Sequence, residues 1–122
     1  MYLYIIKENK YISEFIAHYK NYGVDKIYLY DNNEVNGERF EKTIDVHISQ
    51  GLIEIINYRG KQSIIYKVMN DCYYENNNNY DWLIFYELDE FISLYNYTNI
   101  KQLIKEIKFA QCQIYKFNYS YW

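Results

Sequence analysis

The sequence has no proline and only two cysteines, Cys72 and Cys112, among its 122 residues. The cysteines lie far apart and carry no metal-ligand spacing around them, so neither a disulfide scaffold nor a thiolate metal site is indicated. Each is expected to behave as a small buried hydrophobe, and a reduced, cytoplasmic setting follows as the default. A basic surplus is also missing. Thirteen Lys and Arg face sixteen Asp and Glu, giving a net charge of −3 and a pI near 5.4. That balance argues against a nucleic-acid partner, which calls for a basic stripe and a high pI. No apolar run approaches the roughly 20 residues needed to span a bilayer. The opening Met1-Tyr2-Leu3-Tyr4-Ile5-Ile6-Lys7 lacks the charged start and small-residue cleavage site of a signal peptide. Gly-x-Ser-x-Gly, a Gly-rich phosphate loop and Cys-x-x-Cys are all absent, which removes the chemistries that those motifs serve.

What is present is half apolar by residue type, with 18 tyrosines. Tyrosine packs as an aromatic, so the available core is larger than the mean hydropathy suggests. The bias toward Tyr, Asn and Ile is the kind an AT-rich genome produces and carries no functional weight. A chain of this length forms about one domain and can bury roughly two-thirds of its unfolded surface.

Along the chain, short β-prone runs alternate with helical periodicity. Tyr2 to Lys7 reads as a buried strand. Behind a cap at Asn9, Ile12, Phe15, Ile16 and Tyr19 mark one helix face that ends at Gly23. Lys26 to Tyr30 is a second strand, followed by a turn-rich loop from Asp31 to Gly37. Phe40, Ile44, His47 and Ile48 suggest a second helix, Leu52 to Asn57 a third strand, and Ile65, Val68, Met69 and Cys72 a third helix. After the loop Asn76 to Asn79, residues Asp81 to Tyr86 read as a fourth strand. A fourth helix follows behind Asn99, with Ile100, Leu103, Ile104 and Ile107 on one face, and Gln113 to Tyr119 reads as a fifth strand. Trp82 and Trp122 are expected in the core. This order predicts one α/β domain without internal repeats: a three-layer α/β/α sandwich around a mostly parallel sheet.

Open parallel sheets bind ligands beyond the carboxyl ends of their strands. Those ends carry Lys7-Glu8, Asp31-Asn32, Arg59-Gly60 and Glu87-Leu88-Asp89-Glu90. In an extended segment Glu87 and Asp89 point to one side, where two like charges repel unless a cation sits between them. Carboxylate oxygens suit Mg²⁺ or Mn²⁺, which complete their shells with water and substrate phosphates. The plain alternative is a solvated acidic turn. Asp31 suits a ribose hydroxyl or a base N–H, or simply an Asx turn. Arg59 suits phosphate, or a surface role. His18 and His47 lie away from the strand ends and are expected to be structural.

Taken together, these segments resemble a GT-A-type glycosyltransferase, nearest to glycosyltransferase family 92 and related family-2-like domains. The resemblance runs from Ile6-Lys7-Glu8-Asn9 and Glu14-Phe15-Ile16 through Gly23-Val24-Asp25-Lys26-Ile27-Tyr28-Leu29-Tyr30-Asp31-Asn32-Asn33. It continues in Gly51-Leu52-Ile53-Glu54-Ile55-Ile56, Asn70-Asp71-Cys72, Tyr80-Asp81-Trp82-Leu83-Ile84-Phe85 and the acidic motif with Phe91. It implies a nucleotide-diphosphate sugar donor, a divalent ion, and sugar transfer to an acceptor hydroxyl. The family's Asp-x-Asp metal motif falls on Glu87 and Asp89. Its nucleotide-binding positions fall on Lys7, Glu8 and Asp31, with Asn32, Arg59 and Glu87 beside them, and Glu90 and Asp71 are weaker candidates for a catalytic role. Three departures stand out: Glu87 replaces the first Asp, the order after the first strand is Lys-Glu-Asn, and residues 1–122 match only a C-terminally short domain. A truncated domain of this kind has a rival reading, as a non-catalytic nucleotide-binding or interaction module able to self-associate through an open sheet edge. A receiver or phosphohydrolase is disfavoured because no nucleophilic Asp follows the first strand.

Overall fold

The computed structural model describes residues 2–5, 9–62 and 65–106. Its strands are β1 (Tyr2–Ile5), β2 (Ile27–Asp31), β3 (Ile53–Asn57) and β4 (Phe85–Glu87). Its helices are α1 (Ile12–Asn21), α2 (Asp45–Ser49), α3 (Ile65–Asn76) and α4 (Ile100–Glu106). The four strands form one sheet in the order β3-β2-β1-β4, and every pairing is parallel. The mixed α/β class and the parallel sheet therefore hold. Among the described residues, no helix is long and apolar enough to cross a membrane.

Strand β2 is buried along its whole length, and its alternating side chains divide the core. Ile27 and Leu29 join the larger cluster, with Ile12, Phe15, Ile16 and Tyr19 of α1 and with Phe40 and Ile44 ahead of α2. Tyr28 and Tyr30 join a smaller cluster with Tyr58 and with Val68 and Cys72 of α3. The connections from β1 to β2 and from β2 to β3 thus pack on one side. The return across the sheet, from β3 to β4, packs on the other, as right-handed crossovers require. The strand order reverses at β1, which places the switch point between β1 and β4.

Glycine acts at two close approaches. Gly23 ends α1 at φ +79, and a Cβ there would lie 2.1 Å from Asn99 Nδ2. Asn99 in turn caps α4, its Oδ1 accepting from Lys101 N at 2.8 Å, while Ile100 N donates to Tyr22 O. Gly60, at φ +72, would place a Cβ 2.7 Å from Val35 Cγ2.

Several sequence expectations need correction. Asn9 opens a short 3-10 turn instead of capping α1, whose N-cap is Tyr11 with no side-chain cap bond. The second helix is broken at Ile44 into a 3-10 turn, Glu41–Thr43, and the five-residue α2, in keeping with the β-branched Thr43, Ile44, Val46 and Ile48. Strand β4 covers Phe85–Glu87, paired with Tyr2, Leu3 and Tyr4 of β1, and is shorter than the expected Asp81 to Tyr86 at its start. Trp82 precedes that pairing and is 39% exposed, outside the core. Cys72 is buried and free, as expected. Lys7, Glu8, Cys112, Trp122 and the expected fifth strand lie outside the described residues.

Candidate functional site

The sheet ends on one edge in Ile5, Asp31, Asn57 and Glu87. Parallel pairing brings these ends side by side: Ile5 registers with Asp31, Asp31 with Asn57, and Tyr4 with Glu87. The edge has two corners of opposite character on either side of β1.

At the β2–β3 corner the charges are buried and matched. The side chains of Asp31 and Arg59 are 3% and 4% exposed, and Arg59 Nε lies 2.6 Å from Asp31 Oδ2. The Nε–H is not aimed at that oxygen, since the nitrogen forms no directional hydrogen bond; the contact is one of charge. The other carboxylate oxygen, Oδ1, accepts from the backbone N of Asn33 at 3.1 Å and from its Nδ2 at 2.8 Å. The guanidinium forks into the loop after β2: Nη1 donates to the carbonyls of Glu34 and Gly37, and Nη2 to that of Glu38. Asn32 Nδ2 donates to Tyr58 O at 2.6 Å and to Lys61 O at 2.8 Å. Backbone bonds Tyr58 N to Asp31 O and Gly60 N to Asn33 O close the seam between the two loops. Gly60 is required here because Val35 fills the space a side chain would need.

Arg59 and Asn32 therefore hold the loops together in this structure, and Asp31 is enclosed by them. A shallow cavity of about 200 Å³ lies against this corner, lined by Asn33, Glu34, Gly37 and Glu38. It is smaller than the roughly 300–1,000 Å³ of ordinary ligand pockets, so it is at most one end of a larger site.

Asp71 lies on α3, behind this corner. Its Oδ2 accepts from Lys67 Nζ and from the Tyr58 hydroxyl. Those two bonds, the lysine's first, hold its carboxyl below the usual range, and the same carboxylate raises the Tyr58 hydroxyl.

The β4 corner is the reverse. Glu87 and Asp89 are exposed, while Leu88 between them is fully buried. Ile92 and Leu94 are also buried, but the segment is not extended as expected from sequence. The strand ends at Glu87, and Leu88 and Asp89 form a turn in which Leu88 enters the core and both acids face solvent. Among the described residues, the carboxylates of Glu87 and Asp89 enter no ion pair. Glu90 folds back: its Oε2 accepts from Glu87 N at 2.8 Å, and its own N donates to Glu87 O. Helix α1 fastens the segment from below. The Tyr19 hydroxyl donates to Glu90 O at 2.9 Å and accepts from Ile92 N at 3.1 Å. His18 Nε2 donates to Ile92 O at 2.9 Å. Tyr19 read as core and His18 as structural from sequence; the periodicity of α1 gave no sign that both reach the acidic segment.

The described residues contain no group of three or more His, Cys, Asp or Glu arranged to hold a metal ion. Two free carboxylates at one strand end nevertheless match what Mg²⁺ takes from a protein when substrate phosphates and water supply the remaining ligands.

Searches of curated proteins and of solved structures find no match. The family model for glycosyltransferase family 92 matches residues 2–121, which takes in both corners of the edge. The chain belongs to glycosyltransferase family 92, whose reaction joins a sugar donor to an acceptor.

Proposed function

We propose that residues 1–122 carry the nucleotide-sugar-binding part of a GT-A-type, three-layer α/β/α glycosyltransferase domain. The ligand spans the switch point between the two corners. Glu87 and Asp89 hold Mn²⁺ or Mg²⁺ against the diphosphate. The loop carrying Asp31 and Asn32 forms the nucleoside side, and the resemblance assigns Lys7 and Glu8, which lie outside the described residues, to the same donor-binding role. The observation that carries the proposal is the pair of unmatched, exposed carboxylates at the end of β4, on an edge where Asp31 is buried against Arg59 and Glu90 is bonded to the Glu87 amide.

In the transfer, the bond from the anomeric carbon to the diphosphate oxygen breaks and a bond to the acceptor oxygen forms, while the acceptor hydroxyl loses its proton. A divalent ion, when bound, offsets the charge that develops on the leaving diphosphate. Glu87 and Asp89 fix where that charge is met, and the turn closed by Glu90 holds their backbone still. Glu90 and Asp71 are less suited to take the acceptor's proton. One oxygen of Glu90 is held by the Glu87 amide, and one of Asp71 by Lys67 and Tyr58. A phosphate contact from Arg59 would have to replace its bonds to the carbonyls of residues 34, 37 and 38.

The scarcity of further metal ligands among the described residues also favours a second reading, a non-catalytic module of the same fold that binds nucleotide without turnover or associates through a sheet edge. Calorimetric titration with uridine or guanosine diphosphate, with and without Mn²⁺, tests the proposal. Binding that requires the ion is expected, and sugar transfer from a matching donor then separates enzyme from module. Absence of ion-dependent binding to either nucleotide overturns the first reading, and absence of both nucleotide binding and self-association overturns the second.

A further inference from the structure

Tyr19 has no exposed surface and lies in the middle of the apolar face of α1. A phenylalanine would fill the same volume. A hydroxyl in such a place must find partners or carry the full cost of its desolvation. Its partners lie in the acidic segment, more than seventy residues on: Glu90 O and Ile92 N. The ring of Tyr19 also packs at 5.6 Å from that of Tyr86, the residue just before Glu87. Tyr19 therefore touches the chain on both sides of the acidic pair, by its ring before it and by its hydroxyl after it. His18 adds a bond to Ile92 O, and its ring meets Phe91 edge-on at 5.2 Å.

We infer that Tyr19 is a positioning residue for the carboxylates of Glu87 and Asp89, fixing the backbone that presents them to a divalent ion. The inference rests on the metal-site reading above and deepens it by naming the group that makes the site rigid. Two carboxylates on a loose loop repel each other and drift apart, and an ion demanding near-octahedral geometry then binds them poorly. Groups that orient metal ligands without touching the metal commonly change its affinity by 10- to 100-fold when removed.

The test compares Tyr19→Phe with Tyr30→Phe, which removes a buried hydroxyl from the opposite face of the sheet. Mn²⁺ affinity is read by electron paramagnetic resonance in the presence of a nucleoside diphosphate, and exchange of the Ile92 amide is read by NMR. Tyr19→Phe is expected to weaken Mn²⁺ binding about tenfold and to speed Ile92 exchange, while Tyr30→Phe leaves Mn²⁺ affinity within about twofold. His18→Gln, which disturbs the same segment without emptying the core, carries the same test if Tyr19→Phe does not fold. Wild-type binding with unchanged affinity in Tyr19→Phe overturns the inference and leaves the metal site standing. Equal weakening by both variants also overturns it, because the effect would then be one of stability. No Mn²⁺ binding by the wild type removes the metal site and the inference with it.

Discussion

The two corners of the sheet edge handle charge in opposite ways. At β2–β3, Asp31 meets Arg59 out of water, and the guanidinium ties three loop carbonyls together. At β4, Glu87 and Asp89 stand in solvent without a cation among the described residues, although their backbone is pinned by Glu90, Tyr19 and His18. Both corners are stiff, but only one has its charge satisfied from within. A buried pair serves structure, because breaking it strands a charge in a medium that solvates it poorly. A pinned yet unmatched pair contributes little to folding and is available to something that arrives from outside.

The sharpest way to break that comparison is to remove one charge from each corner. Arg59→Ala is expected to lower unfolding free energy by about 3–5 kcal/mol, since Asp31 is left buried and uncompensated. Asp89→Ala is expected to change it by no more than about 0.5 kcal/mol. Urea unfolding measures both, and similar losses would erase the distinction between the corners.

A smaller effect appears at high pH. Burial raises the hydroxyls of Tyr28 and Tyr30 and the thiol of Cys72, and the bond to Asp71 raises Tyr58. Groups raised in the folded state stabilise it fully below their unfolded values, about 8.5 for Cys and 10 for Tyr. That stabilisation is lost as pH climbs through the folded values. Stability is therefore expected to decline above about pH 9, and Tyr30→Phe should flatten the decline where Asp89→Ala does not. The acid limb has the opposite sign and is weaker. Asp71 is held low by Lys67 and Tyr58, so its contribution is present above the ordinary Asp range and fades as pH falls through the folded value. An alkaline limb unchanged by Tyr30→Phe would separate these tyrosines from the stability of the closed corner.

Much of this frame is legible in the sequence because burial imposes periodicity. The i, i+3, i+4, i+7 spacing of Ile12, Phe15, Ile16 and Tyr19 marked the buried face of α1, and Gly23 marked its end. The alternation of elements gave the parallel sheet, and the carboxyl ends of the strands named Asp31, Arg59, Glu87 and Asp89 as residues of one edge. Partners that depend on loops were not legible. The bonds from Arg59 to residues 34–38 join segments more than twenty positions apart and leave no periodic trace. The hydroxyl of Tyr19 looks in sequence like any aromatic core position, and its bonds to Glu90 and Ile92 exist only once α1 lies under β4. The start of β4 was overread as well: Trp82, Leu83 and Ile84 continue the apolar, β-prone run, and such composition alone does not say where strand pairing begins.

The account's central claim is that the open corner at β4 takes a divalent ion together with a nucleoside diphosphate. The most direct measurement is calorimetric titration of wild type and Asp89→Ala with uridine or guanosine diphosphate in the presence of Mn²⁺, at matched far-UV circular dichroism. The account predicts ion-dependent binding by the wild type and its loss in the variant. Undiminished binding by Asp89→Ala would contradict it.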